Sequence, residues 1–288
     1  MGLAERTRKS SIPSLYYAVN EVPYYQQLAE YSIETLRKHN RDIPVSFFSY
    51  SGRAPKNQTC IRRLGAQVQV RPQVRELPPT YLKWRALAEC QSPRNLFLDA
   101  DTVFNGDPAI LFRRWQRAHF YARNELVADP QLKVRLIGNA IIPPMVNYPV
   151  LKKVSRQMKL KPTPIFNSGV MLFNHGIHKR IGMRWAEFAR LHRFFLLRPE
   201  FSPVNKTNPH LIEEIVASMV LGSVPNLKFS PMDSISVPYF VEWKGGVVPS
   251  PGIVMHLGQL CAPFYVLEKS GPRAVKRLRL PFGIETPR

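Results

Sequence analysis

The stretch Asn95-Leu-Phe-Leu-Asp99-Ala-Asp101-Thr-Val-Phe-Asn-Gly-Asp107 begins with a short apolar run, which leads into two aspartates separated by one small residue. The run predicts a buried strand, and side chains two residues apart on an extended chain point to the same face. We therefore expect Asp99 and Asp101 to present their oxygens to one point at the end of the strand. Carboxylate oxygens suit Mg²⁺ or Mn²⁺ held together with the phosphates of a substrate. The alternative is a strand end and a turn, with Asp107 capping the next helix.

Strand and helix patterns alternate on both sides of this stretch. Apolar runs predict strands over 15–20, 44–50, 66–70, 96–98, 169–174 and 253–257, and helical spacing predicts helices over 24–39, 58–64, 79–90, 177–197 and 209–221. This order predicts an α/β fold, a Rossmann-like and mostly parallel sheet with helices on both faces and ligands at the carboxyl ends of its strands. The proline-rich segment 120–166 is expected to form a less regular lobe that shapes the substrate site.

The composition limits the kind of protein. The chain has 288 residues, of which 44% are hydrophobic, enough to bury a full core. No apolar run reaches the about eighteen residues of a membrane span, and the charged first fourteen residues are unlike a secretory signal. Three cysteines far apart in the chain argue against a disulfide framework, so the expected compartment is the reducing cytoplasm.

The charge is the most unusual bulk property. A formal net charge of +21 attracts anions such as nucleic acid, acidic lipid and sugar nucleotides. No nucleic-acid-binding signature accompanies the basic residues, so nucleic acid is an unlikely partner. A solvated basic surface and a surface for acidic lipid headgroups both stay open, and the second would place the protein at the inner face of the plasma membrane. The basic tail segment Arg273–Arg279 is the expected contact.

Two further motifs follow the aspartate pair, Phe166-Asn-Ser-Gly-Val-Met-Leu-Phe-Asn174 and Val254-Met-His256-Leu-Gly258. In this order the three resemble the signatures of GT-A glycosyltransferases, most closely glycosyltransferase family 8, which contains glycogenin and bacterial lipooligosaccharide galactosyltransferases. The resemblance implies one GT-A domain over 1–288. Its parts would be a nucleotide-binding half (about 14–118), an acceptor-side and metal-completing half (119–264) and a basic C-terminal tail (265–288).

The resemblance also implies a reaction and its residues. A sugar would move from a nucleoside diphosphate, UDP above all, to a hydroxyl of a glycan, lipid-linked or small-molecule acceptor, with retention of anomeric configuration. Mn²⁺ or Mg²⁺ would bind to Asp99, Asp101 and His256. The donor would contact Ala18, Asn20, Tyr24, Lys83, Asp99, Ala100, Asn167, Ser168 and Gly258. Glu213, Glu214 and Asn167 would act near the reacting carbon.

Several of these residues have a plainer alternative. Without the motif, His256 could be a core histidine. Tyr24 could be a core residue at a helix start, and Lys83 could belong to a solvated helix face. Asn167 could cap a turn. Glu213 and Glu214 could serve the helix dipole, and because adjacent helical residues diverge by about 100° both are not expected to face one centre, with Glu213 favoured.

One departure concerns the C-terminal motif of the family, in which a lysine contacts the diphosphate. Ala262 stands at that position, and Gly258 comes one residue early. Lys244 or Lys269 would then supply the contact, or the leaving group is held differently.

Two other functions compete with glycosyl transfer. A nucleotidyltransferase on a similar sheet usually has a glycine-rich loop after its first strand, and 18–23 contains no glycine. A non-catalytic basic module for acidic membranes or polymers would have no use for the aspartate pair and His256.

Overall fold

The computed structural model describes residues 12–124, 135–137, 140–142, 148–160, 163–199, 209–233, 235–237 and 252–257. The strands in these ranges are β1 Ser14–Val19, β2 Val45–Ser49, β3 Ala66–Val70, β4 Asn95–Leu98, β5 Thr102–Phe104, β6 Phe120–Asn124, β7 Arg135–Ile137, β8 Ala140–Ile142, β9 Phe166–Phe173, β10 Phe229–Pro231 and β11 Val254–His256. The helices are α1 Pro23–His39, α2 Gln58–Arg63, α3 Leu82–Leu87, α4 Ala109–Arg114, α5 Tyr148–Gln157, α6 Ile177–Gly182, α7 Trp185–Leu196 and α8 Pro209–Gly222, with a 3₁₀ turn at Pro79–Tyr81.

The main sheet has seven strands in the order β10-β6-β9-β4-β1-β2-β3. Strands β1, β2, β3 and β4 run parallel to one another, and β10 runs parallel to β6. Strand β9 is antiparallel to both of its neighbours, β4 and β6. Two small antiparallel pairs, β5 with β11 and β7 with β8, lie outside this sheet. The predicted α/β class and the mostly parallel sheet are confirmed.

Alternate residues of each strand supply the two faces of the sheet. On β1, Tyr16 belongs to one apolar cluster, whereas Leu15 and Tyr17 belong to the other. The Tyr16 cluster includes buried side chains of α3, α6, α7 and α8, and the Leu15 cluster includes those of α1, α2 and α4. Helices therefore cover both faces, because strands buried on both sides need apolar partners above and below.

The helix predicted over 177–197 is in fact two, α6 and α7, which is a correction to the sequence analysis. Gly182 ends α6 and packs so tightly on α3's flank that a Cβ there would lie 2.4 Å from the Cα of Ala88. The helix predicted over 79–90 is also shorter, because both of its ends tighten into turns with hydrogen bonds of the 3₁₀ type, such as Tyr81 N to Pro78 O and Glu89 N to Ala86 O.

Strand β9 begins earlier than its apolar run predicts, so that Asn167 and Ser168 lie within the strand and not before it. Strand β5, whose three residues are all buried and pair with β11, was not predicted from the sequence. Within 120–166, where less regular structure is expected, the described residues form β6, the β7–β8 hairpin and α5. No helix in the described ranges is both long and apolar enough to cross a membrane.

Candidate active site

The two aspartates occupy the turn between β4 and β5. The backbone N of Asp99 donates a hydrogen bond to the carbonyl of Gly169 at 2.8 Å, and the hydroxyl of Thr102 donates to the carbonyl of Asp99 at 2.9 Å. The Asp101 side chain is buried, and that of Asp99 is about one-third exposed, at 34%. Neither bond uses a carboxylate, so both carboxylates can face the charged groups around the turn. Asp107 caps α4 through the backbone N of Ala109 at 2.9 Å, as expected.

His256 joins the aspartates through a strand pair that sequence patterns did not reveal. The antiparallel β5–β11 register sets His256 opposite Thr102. Its Nε2 lies 3.3 Å from Oδ1 of Asp101 and 3.8 Å from Oδ2 of Asp99. One ligand atom from each of these three residues falls within 4.8 Å of the others. Two carboxylates and an imidazole form a donor set that fits Mn²⁺ well and Mg²⁺ less well, because imidazole is a less usual ligand for Mg²⁺.

The charges of this cluster compensate one another. Burial raises the pKa of Asp99, and the nearby Lys83 ammonium opposes that rise without cancelling it. Burial also acts to raise the pKa of Asp101, but His256 outweighs burial and lowers it. Conversely, burial acts to lower the pKa of His256, and Asp101 outweighs burial and raises it. The raised pKa favours a proton on His256 that offsets carboxylate charge, and a metal ion bound at the same atoms would displace that proton.

Asn167 fixes the orientation of the His256 ring. Its Oδ1 lies 3.0 Å from Nδ1 of His256 and accepts a hydrogen bond from the backbone N of Gly169, also at 3.0 Å. An Nδ1–H that donates to Asn167 leaves Nε2 to face the aspartates, the arrangement by which a second residue orients a metal-binding histidine. The bond from the backbone N of Gly169 is the one a turn-capping asparagine makes, and His256 is buried on its strand, so both alternatives account for part of these contacts. The contact between the two side chains goes beyond either alternative.

Lys83 is buried beside the aspartates, so the prediction of a solvated helix face is wrong for this residue. Its Nζ lies 2.7 Å from Oγ of Ser168, 3.3 Å from Oε2 of Glu213 and 3.7 Å from Oδ1 of Asp99. Burial acts to lower the pKa of Lys83, but the carboxylates of Asp99, Glu213 and Glu214 outweigh burial and raise it. The ammonium therefore stays charged within the site.

Glu213 and Glu214 converge on Ser168, although adjacent helical residues were not expected to face one centre. Ser168 Oγ donates to Glu213 at 2.8 Å, and the backbone N of Ser168 donates to Glu214 at 3.1 Å. The indole Nε1 of Trp84 donates to the second oxygen of Glu213. Two long side chains leave α8 in different directions and still meet at one strand residue. The dipole interpretation fails, because the first turn of α8 contains no acidic residue.

The residues expected to lie near the nucleoside occupy the end of β1 and the start of α1. Ala18 is partly buried, and Oδ1 of Asn20 accepts a hydrogen bond from the backbone N of Val22 at 3.2 Å. Tyr24 is half-buried with its ring 5.4 Å from that of Tyr25, and burial together with Asp101 raises its pKa. A cavity of about 250 Å³ opens nearby, and its lining residues include Glu21, Pro23, Gln26, Ser51, Arg53 and Lys56.

Ala100 is partly buried between two apolar clusters. Gly258 lies outside the described residues, as do Ala262, Lys244, Lys269 and the tail segment Arg273–Arg279.

Two further features of the site were not predicted from the sequence. The indole N–H of Trp84 donates to Glu213. The available sequence signal was the tryptophan next to Lys83, because the N–H of a buried tryptophan needs an acceptor. A chain of buried hydroxyls leads from Tyr17 through Ser32 to Thr102, each step 2.9 Å long, and ends on the carbonyl of Asp99. No sequence signal links these three hydroxyls, since they come from β1, α1 and β5.

Comparison with known proteins gives a fold-level answer. No protein-family model matches the chain, and no curated protein is similar enough to match. Among solved structures, a complex of the galactosyltransferase LgtC with donor and acceptor sugar analogues matches with a TM-score of 0.52 and 13% identity over 93% of this chain and 100% of that one. An active-site mutant of LgtC matches with a TM-score of 0.53 and 12% identity over 92% and 99% of the two chains.

The glycosyltransferase GlyE from Streptococcus pneumoniae TIGR4 matches with a TM-score of 0.51 and 13% identity over 86% of this chain. The present chain spans about half of its length, 55%, and 46% of the bifunctional glycosyltransferase WbbM. At such identities the likeness concerns the fold. The chain has the GT-A glycosyltransferase fold, in agreement with the resemblance found in its motifs.

Proposed function

We propose that the protein is a metal-dependent glycosyltransferase that moves a sugar from a nucleoside diphosphate, UDP above all, to an acceptor hydroxyl. One observation carries the proposal: the ligand atoms of Asp99, Asp101 and His256 lie within 4.8 Å of one another on a GT-A fold. The matching solved structures are glycosyltransferases, which supports the same class of reaction.

The residues around the cluster suit a diphosphate leaving group. A divalent cation, when bound, neutralises the diphosphate and stabilises it as it leaves. Lys83 adds a buried positive charge 3.7 Å from Asp99, where it can approach a phosphate or the hydroxyls of the donor sugar. This charge is also a candidate for the contact that the family assigns to the lysine position occupied here by Ala262.

We assign different roles to the two glutamates. Glu213 is 1% exposed and is held by Lys83, Trp84 and Ser168, so its role is to position Lys83. Glu214 is 9% exposed and is anchored by the backbone N of Ser168, so it becomes the favoured residue for steadying positive charge at the reacting carbon. This reverses the preference for Glu213. Retention by a front-face mechanism is proposed, because no carboxylate is established as a nucleophile.

Titration calorimetry of UDP with and without Mn²⁺ tests the proposal. We expect UDP to bind the wild type more tightly with Mn²⁺, and Asp101→Asn to lose that gain. Asp107→Asn is the matched control, because Asp107 belongs to the same segment but caps α4. Binding of UDP that is unaffected by metal, or equally affected in both variants, would contradict the site assignment.

The role of Glu214 is tested by turnover. We expect Glu214→Gln to lower kcat about 100-fold with little change in the affinity for UDP, since the charge would act only on the transition state. A change in UDP affinity with unchanged kcat would assign Glu214 to ground-state binding instead.

The same proposal covers the acceptor and the location. A glycan or lipid-linked acceptor agrees with the class of reaction, and the charge of +21 favours attachment to an anionic membrane surface from the cytoplasm, with the tail segment Arg273–Arg279 as one contact.

A further inference from the structure

The exposed side of α6 and α7 combines cations with large apolar side chains. We call it the α6–α7 face and define it by Lys179, Arg180, Met183, Arg190, Arg193 and Leu197, all of which are exposed. Met183 and Leu197 are each 77% exposed, and the adjacent Leu196 is 48% exposed. We propose that this face is a docking surface for an anionic lipid bilayer.

Helix geometry places the α7 members of this face in one stripe. Ala186, Arg190, Arg193 and Leu197 recur at steps of three or four residues, so they share one side of α7. The opposite side carries Phe188, Leu191 and Phe195, which are buried in the core. Met183 stands at the start of the stripe and Leu197 at its end, with two arginines between them. Apolar side chains flanked by arginines suit the boundary between lipid headgroups and acyl chains.

The face carries almost no negative charge among the described residues. Glu187 is the acidic residue on α7, and it is engaged by Arg184 at 2.8 Å. Helix α1 on the other side of the sheet differs, because Glu30 and Glu34 accompany its basic residues. The positive potential of the α6–α7 face is therefore local, and not merely the +21 average spread over the surface.

The charge also selects the occupant of the face. A second copy of the chain would bring an equally basic face against it, and the tail segment Arg273–Arg279 would bring more positive charge. A polyanion without an apolar phase would leave Met183, Leu196 and Leu197 in water. An anionic bilayer complements both components at once, since it offers negative headgroups and apolar chains.

The orientation of α7 connects this face with the candidate active site. Arg184, just before α7, donates to Oγ of Ser223 at 3.0 Å, and Ser223 follows the end of α8. Because α8 leads from Glu213 in the site to that end, α7 runs back toward the site. Near the end of α7, Nδ1 of His192 lies 2.9 Å from the hydroxyl of Tyr81, two residues before Lys83. Leu196 and Leu197 therefore lie toward the side of the sheet that holds the site. This consequence, access to a lipid-linked acceptor, rests on the proposed function, whereas bilayer docking does not.

Sedimentation with vesicles tests the docking surface on the full chain without any donor. We expect binding to vesicles of three parts phosphatidylcholine to one part phosphatidylglycerol and little binding to pure phosphatidylcholine. Each arginine near an anionic surface contributes about a fivefold gain in partitioning, so Arg190→Gln with Arg193→Gln should weaken it about 25-fold. Leu197→Gln, which keeps the charge, should weaken it about tenfold.

The matched control is Arg62→Gln with Arg63→Gln on α2, which removes the same charge from the opposite face of the sheet. We expect it to bind nearly as the wild type does. Equal weakening of both double variants would overturn the proposal in favour of net charge alone. Unchanged binding of Leu197→Gln, with heparin competing fully, would overturn it in favour of a soluble polyanion.

Calorimetry of UDP with Mn²⁺ on the same variants separates the two proposals. Loss of vesicle binding with intact UDP binding in the α7 variants would support the docking surface independently of the site. Vesicle binding by a wild type that does not bind UDP would count against the proposed glycosyl transfer but not against the docking surface.

Discussion

At the scale of single residues, Gly169 occupies the tightest position in the candidate site. A Cβ on Gly169 would lie 2.2–2.6 Å from three atoms of the His256 ring, far inside van der Waals contact. The φ of Gly169 is not positive, so an alanine there would not strain the backbone. The glycine is required by the imidazole against it, which explains why an Asn-Ser-Gly sequence precedes the rest of a strand that is otherwise apolar.

We therefore expect Gly169→Ala to displace His256 and to weaken Mn²⁺ binding by at least about tenfold, the range found when a residue that orients a metal ligand is lost. Manganese affinity is measured by calorimetry or by electron paramagnetic resonance of free Mn²⁺. Gly106→Ala is the control, since its Cβ would meet Ile253 at an ordinary 3.7 Å. Unchanged Mn²⁺ affinity in Gly169→Ala would exclude His256 as a ligand.

His178 gives the fold a dependence on pH that is separate from the candidate site. The residue is buried, its Nε2 lies 3.0 Å from the carbonyl of Cys90, and burial lowers its pKa from 6.5 to about 4. The unfolded chain binds a proton below pH 6.5 that the folded chain refuses until about pH 4. Stability is therefore complete above the unfolded pKa and falls as the pH drops through this window.

We expect the free energy of unfolding to decrease by about 2 kcal/mol between pH 7.5 and 5 because of this one residue. Urea titrations of the wild type and of His178→Gln at both pH values isolate the effect, since other groups contribute equally to both proteins. Glutamine can keep the hydrogen bond to Cys90 without titrating. An identical pH response in the two proteins would refute the assignment.

At the scale of secondary structure elements, helices α3 and α8 are joined through charged groups in the core. Lys83 on α3 and Glu213 on α8 form a buried ion pair at 3.3 Å, and Trp84 and Ser168 satisfy the remaining oxygens of Glu213. Such a pair adds little net stability over apolar residues, but removing one partner leaves a buried charge uncompensated. The pair therefore fixes how the two helices meet at the start of β9.

We expect Lys83→Met to lower the free energy of unfolding by about 3–5 kcal/mol, and the added Glu213→Gln to restore part of that loss. Chemical denaturation of the two single variants and the double variant gives the coupling energy. The Arg71–Glu89 pair, about one-third exposed, is the control, and there the same cycle should give less than about 1 kcal/mol. Additive effects at Lys83 and Glu213 would contradict the pairing.

At the scale of the whole molecule, local patterns were enough to predict the α/β class and most elements of the parallel sheet. Apolar runs and helical spacing located β1 through β4 and α1 within a residue or two, because those signals are contained in adjacent residues. The order of the three motifs also singled out Asp99, Asp101 and His256, whose ligand atoms the structure brings within 4.8 Å of one another, with Asn167 against the His256 ring.

What the sequence did not reveal depends on packing between distant segments. The break between α6 and α7 arises where Gly182 packs against Ala88, and the convergence of Glu213 and Glu214 depends on the position of Ser168. The burial of Lys83 is compensated by three carboxylates from two separate segments, Asp99 in the β4–β5 turn and Glu213 and Glu214 on α8. None of these contacts has a periodic pattern, so composition and spacing cannot foretell them.

Metal binding should stabilise the whole fold, because the cluster ties the β4–β5 turn to β11, more than 150 residues later in the chain. An ion that binds only the folded state adds about 1.4 kcal/mol at ten times its Kd, which raises the Tm by about 3 °C. We expect Mn²⁺ to raise the Tm more than Mg²⁺ at equal concentration, since imidazole favours the softer ion. Thermal unfolding with matched ionic strength measures this shift, which EDTA should reverse and His256→Ala should abolish. An equal shift in His256→Ala would mean that the cation acts elsewhere, by screening the surface.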